Sequence, residues 1–246
     1  MRFLLYNIAY GTGGPKGYTH SMITWPRYLL AARHQMHYLQ EFLQTYSADI
    51  VGLVELDSGS IRARGRNHAA EIARNLEHNY TYSVKYHDRS PARWLPYFRH
   101  QGNALFAEQP IETYEHHFLP MGFKRLVLDV TVNGIRILLV HLALNKRTRR
   151  RQLQYLSTMA GEGKKPLIIA GDFNSFQGKH ELNDLIEWTD LQTVNYSGTP
   201  TFPSWKPRKE LDFILVSKSV NVRDFRVLSD IKLSDHLPLL LDFESV

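Results

Sequence analysis

The sequence contains no cysteine. That absence excludes a disulfide-stapled scaffold, a thiolate zinc site, a thiol nucleophile and CxxC redox chemistry. Apolar runs fall far short of the roughly 18 residues that a spanning helix needs, so no transmembrane segment is expected. No repeat with a period of roughly 20–50 residues and no Ser/Gly linker divides the chain, which reads as a single α/β domain over residues 1–246. The start, Arg2-Phe3-Leu4-Leu5-Tyr6-Asn7, turns polar after a few residues and lacks a small-residue cleavage site. Met1 therefore reads as the start of a core strand, and a cytoplasmic protein is the expectation.

Hydrophobic residues make up 43% of the chain and charged residues 22%, enough apolar surface to bury a large core and too much for a disordered tail. Lys plus Arg outnumber Asp plus Glu by 30 to 24, a formal charge of +6, which favours an anionic partner or substrate. Short runs rich in branched and aromatic residues predict strands at Phe3–Ile8, Ile50–Glu55, Asn103–Ala107, Arg125–Val132, Ile135–His141, Leu167–Gly171, Leu211–Val216, Val222–Leu228 and Leu237–Phe243. Three- and four-residue apolar spacings predict amphipathic helices at Arg27–Tyr46, Asn67–Leu76, Thr148–Met159 and Lys179–Trp188. Asn133-Gly134 between two apolar runs predicts a two-residue hairpin, so antiparallel pairing must coexist with strand–helix alternation. The connections Ala9–Pro26, His87–Gln101 and Val194–Glu210 are long and rich in Gly, Pro, aromatics and bases, as functional loops are.

Polar residues able to bind metal or move protons recur at the ends of the predicted strands: Asn7, Glu55, His141, Asp172 with Asn174, Asp212, and Asp235 with His236. One alone would be a cap or a turn former, but this many in ordered strand-end contexts point to a site. Carboxylate and amide oxygens without thiolates suit a hard cation, Mg²⁺ or else Mn²⁺. Glu55 emerges where a buried strand ends, with a cap on the following loop as its structural alternative. In Gly171-Asp172-Phe173-Asn174 an extended backbone puts the two polar side chains on one side. Asp212 interrupts a core strand, and an unpaired buried carboxylate is costly, so it needs a donor such as His236.

The ordered set Tyr6-Asn7, Leu53-Val54-Glu55, Gly102-Asn103-Ala104, Val140-His141-Leu142, Gly171-Asp172-Phe173-Asn174, Leu211-Asp212-Phe213 and Ser234-Asp235-His236 resembles the endonuclease/exonuclease/phosphatase superfamily, deoxyribonuclease I-like, from residue 3 to 243. The resemblance implies a four-layer α/β sandwich with two packed mixed, largely antiparallel sheets and the site at their shared edge. It implies a divalent-metal site at Asn7 and Glu55 with Asp235 nearby, and a pair, Asp172 and Asn174, that orients the attacking water and the phosphate. It further implies an Asp212–His236 acid–histidine couple, with His141 as the second histidine of the deoxyribonuclease and sphingomyelinase branches. Abasic-site endonucleases commonly carry an acid two residues after the matching Asn, where this chain has Ala9. The implied reaction is metal-assisted attack of water on a phosphodiester.

Lys146-Arg147-Thr148-Arg149-Arg150-Arg151 sets five bases in six residues just after His141. At the start of a helix the macrodipole opposes them, which argues for a functional reason. Asn103, Lys146, Arg147, Arg149, Arg150, Arg151 and Trp205 are the candidate substrate contacts, and bases interleaved with aromatics suit nucleic acid. A phospholipid headgroup or phosphoinositide is the alternative substrate. An inactive binding module on the same fold is disfavoured, because no position of the constellation is missing.

Overall fold

The structure, a computed structural model, describes residues 1–14, 33–61, 63–85, 100–122, 124–161 and 166–245. The first part of the helix expected at 27–46, most of the loops expected at 9–26 and 87–101, and Arg62 lie outside the described residues.

The described strands form two six-stranded sheets. In chain order the elements are β1 (Arg2–Asn7), α1 (Arg33–Tyr46), β2 (Ile50–Asp57), α2 (His68–Leu76), β3 (Asn79–Val84), β4 (Gln101–Ala107), β5 (Ile111–Phe118), β6 (Leu126–Val132) and β7 (Ile135–His141). They continue with α3 (Lys146–Gly161), β8 (Leu167–Asp172), α4 (Asn183–Thr189), β9 (Gln192–Thr193), β10 (Asp212–Val216), β11 (Val220–Val227) and β12 (Leu239–Ser245). Sheet one runs β11-β12-β1-β2-β4-β3, and sheet two runs β5-β6-β7-β8-β10-β9. Only β1–β2 and β7–β8 pair in parallel; the other neighbours are antiparallel. Asn133 (φ 50°) and Gly134 (φ 74°) make the tight β6–β7 turn in the doubly positive-φ conformation that two-residue hairpins favour.

Strand periodicity explains the layers. Phe3, Leu5, Leu139, Ile168, Ala170, Ile214 and Leu241 point into one core between the sheets. The opposite faces bury Leu4, Val51 and Leu240 under α1 and α2, and Leu138, Ile169 and Leu215 under α3 and α4. Helix, sheet, sheet, helix is the expected four-layer sandwich.

The expected strands at Phe3, Ile50, Asn103, Arg125, Ile135, Leu167, Leu211, Val222 and Leu237 are all present, with ends moved by a few residues. Three further strands went unpredicted. β3 and β5 are sheet edges, and the central residues of β5 are solvent-exposed, so neither carries a buried apolar run. β9 has two residues. The helix expected at Lys179–Trp188 divides into a 3₁₀ turn, Lys179–Leu182, and α4.

Candidate active site

The parallel and antiparallel ladders of sheet two put three polar residues on one rung. His141 at the end of β7 is in register with Asp172 at the end of β8, which is in register with Asp212 at the start of β10. Their strand-mates two and four residues away belong to the inter-sheet core, so this rung continues the core face out to its rim. β8 reaches β7 at this point only because residue 171 is glycine: its φ is 150°, and a Cβ would lie 1.9 Å from the Val140 carbonyl oxygen.

Sheet one supplies the facing side. Asn7 ends β1, with its Nδ2 donating to Asp172 Oδ2 at 3.0 Å and its Oδ1 accepting from the Ala9 amide at 3.1 Å. Glu55 reaches the site through a bulge in β2. Val51 and Leu53 face the helices, and simple alternation would send Glu55 the same way. The β2–β4 register shifts between Leu53 and Leu56, and Glu55 takes a φ of 59°, which turns its side chain to the sheet rim. Asn103 Oδ1 accepts from the Glu55 amide at 3.3 Å, while its buried Nδ2 has no partner among the described residues.

Short distances knit the cluster. His141 Nε2 lies 3.3 Å from Asp172 Oδ2 and 3.8 Å from Glu55 Oε1. His236 Nδ1 sits 2.8 Å from Asp212 Oδ2, and its Nε2 lies 4.0 Å from Asp172 Oδ2. Thr201 Oγ1 also donates to Asp212 Oδ2, at 2.6 Å. Asn174, at φ 52°, donates its amide to Asp172 Oδ1 at 2.9 Å and its Nδ2 to the Leu142 carbonyl at 2.9 Å. Asp235 is half-buried; its Oδ1 accepts from Ser234 Oγ at 3.1 Å, and its charge favours protonation of the neighbouring His236 ring.

Electrostatics separate the two histidines. Burial lowers the proton affinity of His141, and the Lys124 ammonium lowers it further, leaving a neutral ring at pH 7. Burial also opposes a charge on His236, but Asp212 and then Asp172 outweigh it and push the ring up to about 10. Burial raises the Asp172 carboxyl, yet His141, His236 and Lys124 together hold it below the usual carboxylate range. Glu55 behaves alike: burial is outweighed by Lys124, His141 and Lys85, and its carboxyl falls to about 2.

A cation fits this donor set. The carboxylates of Glu55 and Asp172 converge on His141 Nε2, at 3.8 and 3.3 Å, with the Asn7 amide against Asp172, whereas His236, charged and bonded to Asp212, has no lone pair to offer. His141 Nε2 is buried without a hydrogen-bond partner among the described residues. Ionised carboxylates beside an amide oxygen suit a hard divalent ion.

The basic segment splits. Lys146, Arg147, Arg150 and Arg151 are exposed on the first turns of α3, with Lys146 Nζ donating to Gln177 Oε1 and Arg151 Nη1 2.8 Å from Met121 Sδ. Arg149 departs from the expected substrate contact. It is 2% exposed, and its guanidinium is spent on Glu181 Oε2 (2.5 Å) and on the Ala143 and Leu144 carbonyls (2.9 and 2.8 Å). Trp205 is half-buried in the loop before β10.

Sequence reasoning missed Thr201, Lys85 and Lys124. Lys124 Nζ forms an ion pair with Glu55 Oε1 at 3.2 Å, and Lys85 Nζ donates to Tyr10 Oη at 2.6 Å. Lys124 enters β6 one residue before the predicted strand start, at the same sheet rim as the acids, and that position was its only signal. Lys85 follows β3, an edge strand with no apolar signature.

Comparison with known proteins agrees with the fold. Over 223 residues the chain is 29% identical to the uncharacterized protein YbhP of Escherichia coli (strain K12), covering 82% of this chain and 85% of that one. The 3'-5' exonuclease NExo of Neisseria meningitidis superposes with a TM-score of 0.68 at 16% identity, covering 99% of this chain and all of that one. A mannosyl-6-phosphatase of Bacteroides thetaiotaomicron superposes with a TM-score of 0.68 at 14% identity, covering 99% of each. The family model described as Endonuclease/Exonuclease/phosphatase matches residues 4–236, and the chain belongs to that family.

Proposed function

We propose that the protein is a divalent-metal-dependent phosphodiesterase and that nucleic acid is its substrate. The observation that carries the reading is the pair of histidines that flank Asp172, His141 Nε2 at 3.3 Å and His236 Nε2 at 4.0 Å from its Oδ2, one held neutral and the other charged by its surroundings. Environments that push titratable groups apart in this way assign proton roles. Asp172 accepts a hydrogen bond from the attacking water, and Asn174 and Asn7 fix its carboxylate. His236, charged and steadied by Asp212, donates to a phosphoryl oxygen as negative charge builds there. Neutral His141 faces the other side of Asp172, placed for the leaving group. Glu55 with Asn7 and the nearby Asp235 would hold Mg²⁺ or Mn²⁺, and the ion's chemistry there is neutralisation of the phosphoryl charge.

The four exposed bases at the start of α3 favour a polyanion. The Neisseria protein is described as a 3'-5' exonuclease, which supports a nuclease reading on this fold. Met121 and Leu144, 50% and 59% exposed beside the same bases, support the phospholipid alternative instead. The deciding experiment offers plasmid DNA, single-stranded oligonucleotides, RNA, sphingomyelin and inositol phosphates to the enzyme, with Mg²⁺ and with EDTA. Metal-dependent cleavage of nucleic acid well above the lipid and inositol rates is the expected result. Preferential lipid turnover would replace it, and full activity in EDTA would remove the metal chemistry.

A further inference from the structure

Lys124 brings an ammonium into a cluster otherwise made of carboxylates, amides and imidazoles. Its Nζ is 3.2 Å from Glu55 Oε1, and it also raises no barrier to Asp172, whose charge it favours. Its backbone is fixed: the Lys124 carbonyl accepts from Gln152 Nε2 of α3 at 2.9 Å, and the loop closes through the Leu119 amide to the Arg125 carbonyl at 2.7 Å. The side chain is 24% exposed against 14% for Glu55, and it carries the ammonium on a flexible four-carbon stem.

We infer that Lys124 is a substrate-phosphate ligand held on Glu55 until a divalent cation takes that carboxylate. The inference rests on the metal reading above. A divalent ion on the Glu55 carboxylate and an ammonium 3.2 Å from the same oxygen repel one another, so the two cations compete for it. Released from Glu55 with its backbone anchored, the ammonium has the incoming phosphoryl group as its next anion. The exchange gives the site an order: metal first, then phosphate, with one lysine serving both states. It also keeps Glu55 from standing as an uncompensated carboxylate at the sheet rim before the metal arrives.

The test titrates metal-free protein with Mn²⁺ by calorimetry, without substrate, and then titrates the Mn²⁺-loaded protein with inorganic phosphate. Lys124→Gln should bind Mn²⁺ about 5- to 10-fold more tightly than wild type, the scale of one partly buried ion pair removed from competition. The same variant should bind phosphate about 10-fold more weakly once loaded. Lys124→Arg, which keeps the charge, should stay near wild type for Mn²⁺, and thermal melts of both variants in the metal-free state check that they fold. Unchanged or weaker Mn²⁺ binding by Lys124→Gln, or unchanged phosphate binding, would overturn the inference. If wild type binds Mn²⁺, Glu55→Gln loses it and Lys124→Gln matches wild type, this inference fails while the metal reading stands. If wild type itself binds no Mn²⁺, both fail.

Discussion

Asp172 and Asp212 occupy matching positions on neighbouring antiparallel strands, yet His236 closes on only one of them, 2.8 Å from Asp212 and 4.0 Å from Asp172. In the mechanism proposed above, Asp212 orients the ring and Asp172 faces the reaction. His236→Ala and Asp212→Asn should each lower kcat by about 10²–10⁴-fold, the usual scale for a positioned proton-transfer group. Since they act as a couple, the double variant should be little worse than the worse single. Multiplicative losses in steady-state kinetics would show that the two work separately.

Glu55→Gln should cost metal affinity without unfolding the protein, because the bulge that aims Glu55 is set by the register of β2 on β4 and not by its charge. The expected result is a metal requirement shifted to about 10-fold or more higher Mg²⁺, with a far-UV spectrum like wild type. Activity at low Mg²⁺ equal to wild type would remove Glu55 from the ligand set.

The basic segment divides into two experiments. Replacing Arg147, Arg150 and Arg151 by Gln should flatten the log–log salt dependence of DNA binding by up to about 0.9 per lost duplex phosphate contact, with little change in stability. Arg149→Met should do the reverse. It strands the buried Glu181 carboxylate, a loss of about 3–5 kcal/mol by denaturant melts, and leaves the salt slope alone. An unchanged slope in the triple variant would reject the segment as a nucleic-acid contact.

Glu210, two residues before Asp212, predicts a pH effect on stability. Burial pushes its carboxyl up to about 7 from an ordinary 4.5, although Asn195 Nδ2, 2.8 Å from Oε1, pulls the other way. Between those values the folded state holds a proton that the unfolded chain has lost, so stability falls as pH rises from 4.5 to about 7. Glu210→Gln should abolish that part of the fall and melt above wild type at higher pH. Parallel melting curves for the two proteins across this window would show that Glu210 is not the source.

Much of this was legible because strand ends carry two signals at once. Asn7, His141 and Asp172 terminate apolar runs whose alternation also says which way they point, and the structure gathers all three. Glu55 was legible as a residue but not as a direction, since a bulge breaks the period of two on which direction depends. Arg149 shows the opposite failure. A run of like charges reads as one surface, whereas helical geometry turns the fourth residue of α3 inward to an acid 32 positions away. Lys124 and Thr201 lie on connections, where no periodicity announces which side chains turn toward a neighbouring strand.

Sheet one is assembled from both ends of the chain: β1 is flanked by β2 on one side and by β12 on the other. During synthesis, therefore, one edge of β1 stays unpaired until residues 239–245 have left the ribosome, long after Asn7, Glu55 and sheet two are available. Local pairing allows the β5–β8 ladder to form early, while the β1–β12 closure is among the longest-range contacts in the fold and should be late. Recovery of activity on refolding should then trail recovery of secondary structure, and the open β1 edge gives chaperones a hydrogen-bonding surface to guard in the interval.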